Sequence, residues 1–300
     1  MIYSKSVNFS AHTLTKEILE MFDCYNTLVF DTTWTDETDL IVIDEYLKEF
    51  IHNRVVLIST FDQQLHGHIS DIRINHISTK NFCFWLIATD KFFLKYSKED
   101  VTPIKFINNF ICYQRKIYDE REILYELLKN KNGIITIGNR SSHEVNKNLP
   151  YHNGYFEIND DNGLSPNDIW SLGNLDIWNS SFLNIVTETT QNLKSPDCFL
   201  SEKTFKPIIG MRPFLINGNP KSNEYLRNMG FETFDEDFGY SPSNCYMNNS
   251  LQLLRIVDEL KDVDLLYKKL LPKIEHNKNN LELAVKKEWE KIKILSNDYN

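Results

Sequence analysis

The residues best suited to chemistry are concentrated between positions 182 and 234. The apolar run Phe182–Thr187 (FLNIVT) reads as a strand that delivers Glu188 to its end. A loop follows, and Ser201 stands where a helix N-cap belongs, with Glu202 and Lys203 in the first helical turn. Such a turn offers backbone N–H groups and the positive end of the helix dipole, which suits a phosphate. Lys203 adds a full positive charge there, and Glu202 or Glu188 can accept hydrogen bonds from a ribose. Pro207 should kink or shorten this helix, and Arg212-Pro213 returns the chain to a sheet through Pro213–Asn217 (PFLIN). A second positive element lies upstream. Arg115 and Lys116 follow a strand-like run, and Arg121 falls in the first turn of the next helix. Arg115, Arg121 and Lys203 are thus expected in one pocket, where guanidinium and ammonium groups suit a diphosphate.

The elements that position these residues alternate between strand and helix patterns. Asn26–Asp31 (NTLVFD), Arg54–Thr60 (RVVLIST) and Phe82–Ala88 (FCFWLIA) read as buried strands, and Leu40–Ile51 as an amphipathic helix. Lys95–Pro103 is polar, ends in proline and reads as a linker. A strand over Phe106–Tyr113, a helix over Asp119–Asn130 and a strand over Gly133–Gly138 then form a βαβ unit. Ile123, Leu124, Leu127 and Leu128 share a face of that helix, which Asn132-Gly133 ends. Tyr151–Trp178 reads as a long irregular connection. Asn223–Met229 is a short helix stopped by Gly230, and Leu251–Leu260 and Val263–Leu295 are closing helices, the last interrupted around Leu271-Pro272. This rhythm predicts parallel sheets covered by helices, an α/β chain. The boundaries expected are an N-terminal α/β domain over 1–103, a second α/β domain over 104–262 and a helical segment over 263–300.

Bulk composition excludes several classes. With 33 Lys and Arg against 42 Asp and Glu, the formal net charge is −9, which disfavours non-specific binding to nucleic acid; DNA as a partner would need a local basic cleft. The five cysteines are odd in number, widely spaced and free of CxxC, which argues against a disulfide framework or a structural zinc site. Cys83 and Cys112 lie in apolar runs and read as core thiols. The first residues lack an apolar signal-peptide core and the apolar runs are too short to span a membrane, so a cytoplasmic protein is expected. No GxGxxG or GxxxxGK[ST] motif is present.

Plainer readings compete with the chemical ones. Glu202-Lys203 by itself is a helix start with a surface ion pair, and Arg115, Lys116 and Arg121 have acidic neighbours in sequence. His66 and His68 lack a third metal ligand at suitable spacing. Asp235-Glu236-Asp237 contains a formal DxD but reads as a solvated acidic loop. Tyr151, Tyr155, Trp170 and Trp178 can either stack on a sugar or pin their segment to the domain.

The order T-E-T, a gap, then S-E-K-T-F-K-P-I-I-G-x-R-P-F resembles the signature of α-1,3-fucosyltransferases and their bacterial and viral relatives. The upstream R-K-I-Y-D-E-R-E-I-L-Y-E-L-L run is similar to the same family's strand, arginine and helix order. The resemblance covers roughly Ile104 to Phe234. Thr189 stands where that family has asparagine, and Ser201 where it has threonine. The resemblance implies two Rossmann-like domains facing a cleft, the GT-B arrangement. It implies inverting transfer of a sugar from a nucleoside-diphosphate sugar (GDP- or UDP-linked) to a glycan or other hydroxyl acceptor, with no metal or other cofactor required. Arg121 and Lys203 would then hold the diphosphate, Glu202 the ribose, and Glu188 would lie near the sugar or the Lys203 ammonium. Inversion needs a general base on the acceptor side; Asp31 and Asp62 are the candidates, because each follows a predicted strand. Sugar transfer to a modified DNA base, or a non-catalytic protein of glycosyltransferase-like fold, are the alternatives.

Overall fold

A computed structural model describes the strand backbones at 27–31, 54–59 and 74–78, residues 83 and 86, and then 96–103, 105–114, 118–137, 172–188, 198 and 200–297, apart from 104 and 199. The chain divides into two compact units, one of Met1–Ala88 with Lys286–Asn300, the other of Thr89–Val285.

The first unit holds three parallel strands in the order β1 (Thr27–Asp31), β2 (Arg54–Ser59), β3 (Ile74–Ser78). Thr27 pairs with Arg54 and Val55 with Ile74. The continuous apolar sequence runs of β1 and β2 are of the kind common in parallel strands. The third strand is a correction to the sequence reading. It is INHIS, not FCFWLIA; Cys83 is outside any strand and Leu86 is helical, its N–H bonded to the Cys83 carbonyl at 3.1 Å. A short continuous apolar run has the same periodicity in a buried helix as in a strand, whereas a strand with polar residues at its centre gives little signal. The helix read over Leu40–Ile51 lies outside the described residues.

The second unit is built on a four-stranded parallel sheet, ordered β5 (Gly133–Ile135), β4 (Asn108–Cys112), β6 (Ser181–Thr187), β7 (Phe214–Asn217). Together the units make the chain an α/β protein. β6 lies inside the sheet and all seven of its residues are buried. Phe110, Phe182, Phe205, Phe214 and Phe234 fill the core around it.

Lys95–Pro103 is more than a linker. It contains α1 (Lys98–Val101), closed by a reciprocal capping box between Ser97 and Asp100. Val101 is fully buried, and the Tyr96 hydroxyl accepts the Leu172 N–H at 3.1 Å. Between β4 and β5 runs α2 (Asp119–Leu128), whose buried stripe is Arg121, Leu124, Tyr125 and Leu128. α3 (Leu175–Asn179) and α4 (Glu202–Ile209) flank β6, and α5 (Ser222–Asn228) follows β7, stopped at Gly230 with φ of 88°. α6 (Tyr246–Glu259) leads to α7 (Val263–Asn297).

α7 is continuous through Pro272, against the interruption expected. The proline deletes one backbone donor. Tyr267, Leu270, Ile274, Asn277, Leu281 and Ala284 nevertheless form a buried stripe at helical spacing on both sides of it. Tertiary packing therefore outweighs the local penalty. Among the described residues no helix is long and apolar enough to cross a membrane.

Arg212 organises the turn between α4 and β7. Its guanidinium is 1 % exposed and donates to the carbonyls of Trp178, Ser181, Val101, Gly210 and Met211 and to Asn179 Oδ1, at 2.9–3.3 Å. It also lies 5.7 Å from the Phe106 ring centroid. Burial pulls its pKa down to about 10. The indole N–H of Trp178 donates to the Gly210 carbonyl at 3.0 Å, and a Cβ on Gly210 would lie 2.3 Å from that nitrogen. Trp178 is thus a core pin, not a stacking platform; Tyr151, Tyr155 and Trp170 lie outside the described residues.

The buried acids give a prediction. Burial pushes the Cys112 thiol up to about 12 and the Cys198 thiol up to about 11, and raises the Tyr240 and Tyr246 hydroxyls. Groups with raised folded pKa values contribute stability that is complete below their unfolded pKa and lost as pH climbs through the folded one. Arg212 acts in the opposite sense, but only above about pH 10. Melting temperature is therefore expected to fall from pH 9 to pH 10.5, and Cys112→Ala to flatten part of the fall. A level profile through that window in differential scanning fluorimetry would contradict the burial of these groups.

Candidate functional site

The carboxyl edge of a parallel sheet is where ligands commonly bind. At that edge of the second unit the residues that follow β6 meet the first turns of α2 and α4. Arg121 reaches the site because it stands three residues before Leu124 and four before Tyr125, so the helical repeat carries it onto the buried face. It is 3 % exposed, and its Nη2 donates to the carbonyls of Thr187 and Glu188 at 3.1 and 3.0 Å. Burial lowers its pKa, while Tyr118, Cys112 and Glu188 pull in the other direction.

Glu188 is held by its main chain and holds α4 by its side chain. It is 1 % exposed. Oε1 accepts the Ser201 N–H at 3.0 Å and the Thr204 hydroxyl at 2.5 Å, and Oε2 accepts the Ser201 hydroxyl at 2.5 Å. The approach of β7 is close as well, since a Cβ on Gly218 would lie 3.3 Å from Glu188 Cβ. Ser201 caps α4 as expected, its Oγ accepting the Lys203 N–H at 3.3 Å. The anion that faces the start of α4 is therefore a carboxylate of the chain itself.

Lys203 is the more accessible cation, with its side chain 21 % exposed. Its Nζ lies 2.7 Å from Glu202 Oε1 and 3.4 Å from Ser201 Oγ. Burial raises the Glu202 carboxyl, but Lys203 and Lys206 outweigh it and hold the group below the usual carboxylate range. A buried carboxylate thus faces a partly exposed ammonium.

Of the residues singled out in the sequence, Arg121, Glu188, Ser201, Glu202 and Lys203 are joined by hydrogen bonds or ion contacts into one cluster. Asp31 is the last residue of β1 in the first unit. Arg115, Lys116, Asp62, His66 and His68 lie outside the described residues. Asp235 and Asp237 of the formal DxD are in ion pairs with Arg227 at 2.6 Å and Lys273 at 2.8 Å. No group of three potential metal ligands occurs among the described residues.

Sequence reading missed four members of the site. Thr204 is the third group on Glu188, and its signal was the i, i+3 spacing from Ser201, which puts both hydroxyls on one side of a helix start. Gln114, Asn217 and Tyr246 carry buried oxygen atoms with no hydrogen-bond partner among the described residues, as does Thr187. Tyr246 opens α6, and its hydroxyl is within electrostatic reach of Arg121 and Glu188. Nothing in local sequence marks Gln114 or Asn217; their placement comes from strand register.

Fold and cluster together define a parallel α/β protein with a charged site at a sheet edge. No family model matches the chain, and no curated protein or solved structure matches it either.

Proposed function

We propose that the chain is a glycosyltransferase that moves a sugar from a nucleoside-diphosphate sugar to a hydroxyl acceptor, by inversion and without an obligatory metal. The observation that carries this reading is the assembly of Arg121, Glu188, Ser201, Glu202 and Lys203, drawn from three separate elements, at the carboxyl edge of a parallel sheet. A diphosphate leaving group gains negative charge as the glycosidic bond breaks, and preorganised cations stabilise it. Among the described residues of the cluster, Lys203 is the cation able to reach such a group, by turning from Glu202. Arg121 contributes positive potential from beneath, because its Nη2 serves the end of β6. Glu202, kept ionised, accepts hydrogen bonds from a ribose. The GT-B arrangement and the choice of Asp31 or Asp62 as general base belong to the same proposal.

The test is a thermal-shift screen of the full chain against GDP, UDP, CMP, ADP and dTDP in EDTA. A ligand at 100 times its dissociation constant stabilises by about 2.7 kcal/mol. One nucleoside diphosphate is expected to raise the melting temperature, and Lys203→Ala to abolish the rise. That variant is expected to lower the melting temperature of the free protein, because it leaves the buried Glu202 carboxylate to Lys206, so the ligand-induced rise is read against each protein's own ligand-free value. A flat response from folded protein to every diphosphate would overturn the reading. Hydrolysis of the corresponding sugar nucleotide, again lost in Lys203→Ala, separates an enzyme from a binding protein of the same fold.

A further inference from the structure

The cluster around Glu188 accounts for charge at the sheet edge but leaves a second set of groups unused. Thr187 Oγ1, Asn217 Oδ1 and Gln114 Oε1 are buried oxygens without a hydrogen-bond partner among the described residues, on residues that are 3 %, 2 % and 1 % exposed. Buried polar atoms are almost always paired, so three together need a common explanation.

Register supplies it. Thr187 and Asn217 are ladder partners in adjacent parallel strands, so their side chains leave the sheet on the same face. Ile111 pairs with Asn184 on the other side of β6. Gln114 is three residues beyond Ile111, as Thr187 is three beyond Asn184, so Gln114 stands at the same level of the sheet. Its position is fixed by its own N–H, which donates to Thr136 Oγ1 at 3.0 Å, and its amide nitrogen faces Cys112 Sγ at 3.6 Å. Thr187 and Asn217 thus form one rung across β6 and β7, and Gln114, two residues past the end of β4, continues its level by register at the edge where β6 hands over to Glu188.

The chemistry of the rung differs from that of its neighbours. Two of the three atoms are amide oxygens, which only accept, and the third belongs to a hydroxyl, which accepts or donates. Amide oxygens disfavour a phosphate and favour hydroxyl or amide donors. The nearby Tyr246 hydroxyl, also without a partner among the described residues, has its pKa raised by burial and by Glu120. We propose that Thr187, Asn217 and Gln114 form a subsite for a neutral, polyhydroxylated group and discriminate between sugar nucleotides. This rests on the nucleotide-sugar reading above, and assigns the rung to the sugar and the Lys203 side of the cluster to the diphosphate. A site built around hydroxyl-binding atoms discriminates strongly, because a ligand lacking the hydroxyl leaves buried oxygens unpaired.

The experiment is calorimetric titration of the full-length protein with GDP and UDP, and with GDP-mannose, GDP-fucose, UDP-glucose and UDP-galactose. The wild type is expected to bind at least one sugar nucleotide 10-fold or more tighter than its parent diphosphate. Thr187→Val keeps shape and removes the hydroxyl; Gln114→Met keeps length and removes the amide, and serves if the first variant does not fold. Each is expected to lose most of that 10-fold increment while binding the bare diphosphate within twofold of wild type. Their ligand-free melting temperatures should be unchanged or higher, since an unpaired buried polar atom is removed. Variants that keep the full increment, or a wild type that binds every sugar nucleotide no tighter than its diphosphate, would overturn the subsite and leave the diphosphate site standing. Absence of binding by any diphosphate or sugar nucleotide would remove both.

Discussion

Arg212→Met is expected to be the most destabilising single substitution at the α4–β7 turn, with a loss of about 3–5 kcal/mol in urea unfolding. The side chains are similar in length, so the cavity term is small. What disappears is the set of donors shared by Val101, Trp178, Ser181, Gly210, Met211 and Asn179. Those acceptors come from α1, α3 and its C-terminal end, the first residue of β6 and the end of α4, so one guanidinium ties four elements. The opposing effect is relief of burying a charge, evident in the pKa drawn down to about 10. The donors win because five backbone carbonyls lose a donor together; the Trp178 indole still serves Gly210 and the Tyr267 hydroxyl still serves Met211, and a carbonyl left unpaired in the interior costs roughly 1–3 kcal/mol. Arg212→Lys is expected to recover only part of the loss, since an ammonium cannot present the planar fork. With domain stabilities of about 5–15 kcal/mol, the methionine variant should still be partly folded at low temperature. A loss below about 1 kcal/mol would show that water or neighbouring donors satisfy the carbonyls as well as arginine does.

The importance of Arg212 was not legible in the sequence, and the reason is general to this chain. Local pattern reports which face of an element is apolar, and it was reliable where that face is continuous. FINNFICY, FLNIVT and PFLIN are β4, β6 and β7 to within two residues at either end, and the S-E-K helix start carries the expected cap. It was unreliable where a polar residue is buried. In α2 the sequence placed Ile123, Leu124, Leu127 and Leu128 on the inner face, whereas the buried stripe is rotated to Arg121, Leu124, Tyr125 and Leu128. The rotation follows from Arg121 finding acceptors at the end of β6, a contact 66 residues away in sequence. β3 was missed for the same reason, because INHIS lacks the apolar run of its neighbours. Of the site, the charged cluster was legible from residue type and strand-end position. The rung of Gln114, Thr187 and Asn217 was not, because it depends on the register of three strands.

Glu188 is the residue at which fold and proposed chemistry meet, and two substitutions separate its roles. Glu188→Ala leaves the Ser201 N–H and the Ser201 and Thr204 hydroxyls without their acceptor. It should cost about 3–5 kcal/mol and loosen the start of α4, weakening diphosphate binding with it. Glu188→Gln keeps volume and one acceptor oxygen, and the two hydroxyls can reorient toward the amide. Its expected cost is about 1–2 kcal/mol, the difference between a charged and a neutral set of hydrogen bonds. Its effect on ligand is expected to have the opposite sign. The carboxylate faces the helix start that a phosphate would favour, so removing its charge should tighten diphosphate binding by at least about fivefold, the ~1 kcal/mol that one charge about 4 Å away is worth even at the dielectric of water. Stability from urea titration and affinity from calorimetry should therefore move together in the alanine variant and in opposite directions in the glutamine variant. If glutamine loses affinity as alanine does, the carboxylate acts through charge on a bound group and not as an internal occupant of the anion position. Glu188 would then have to be assigned to the sugar, and the start of α4 would no longer support a phosphate there.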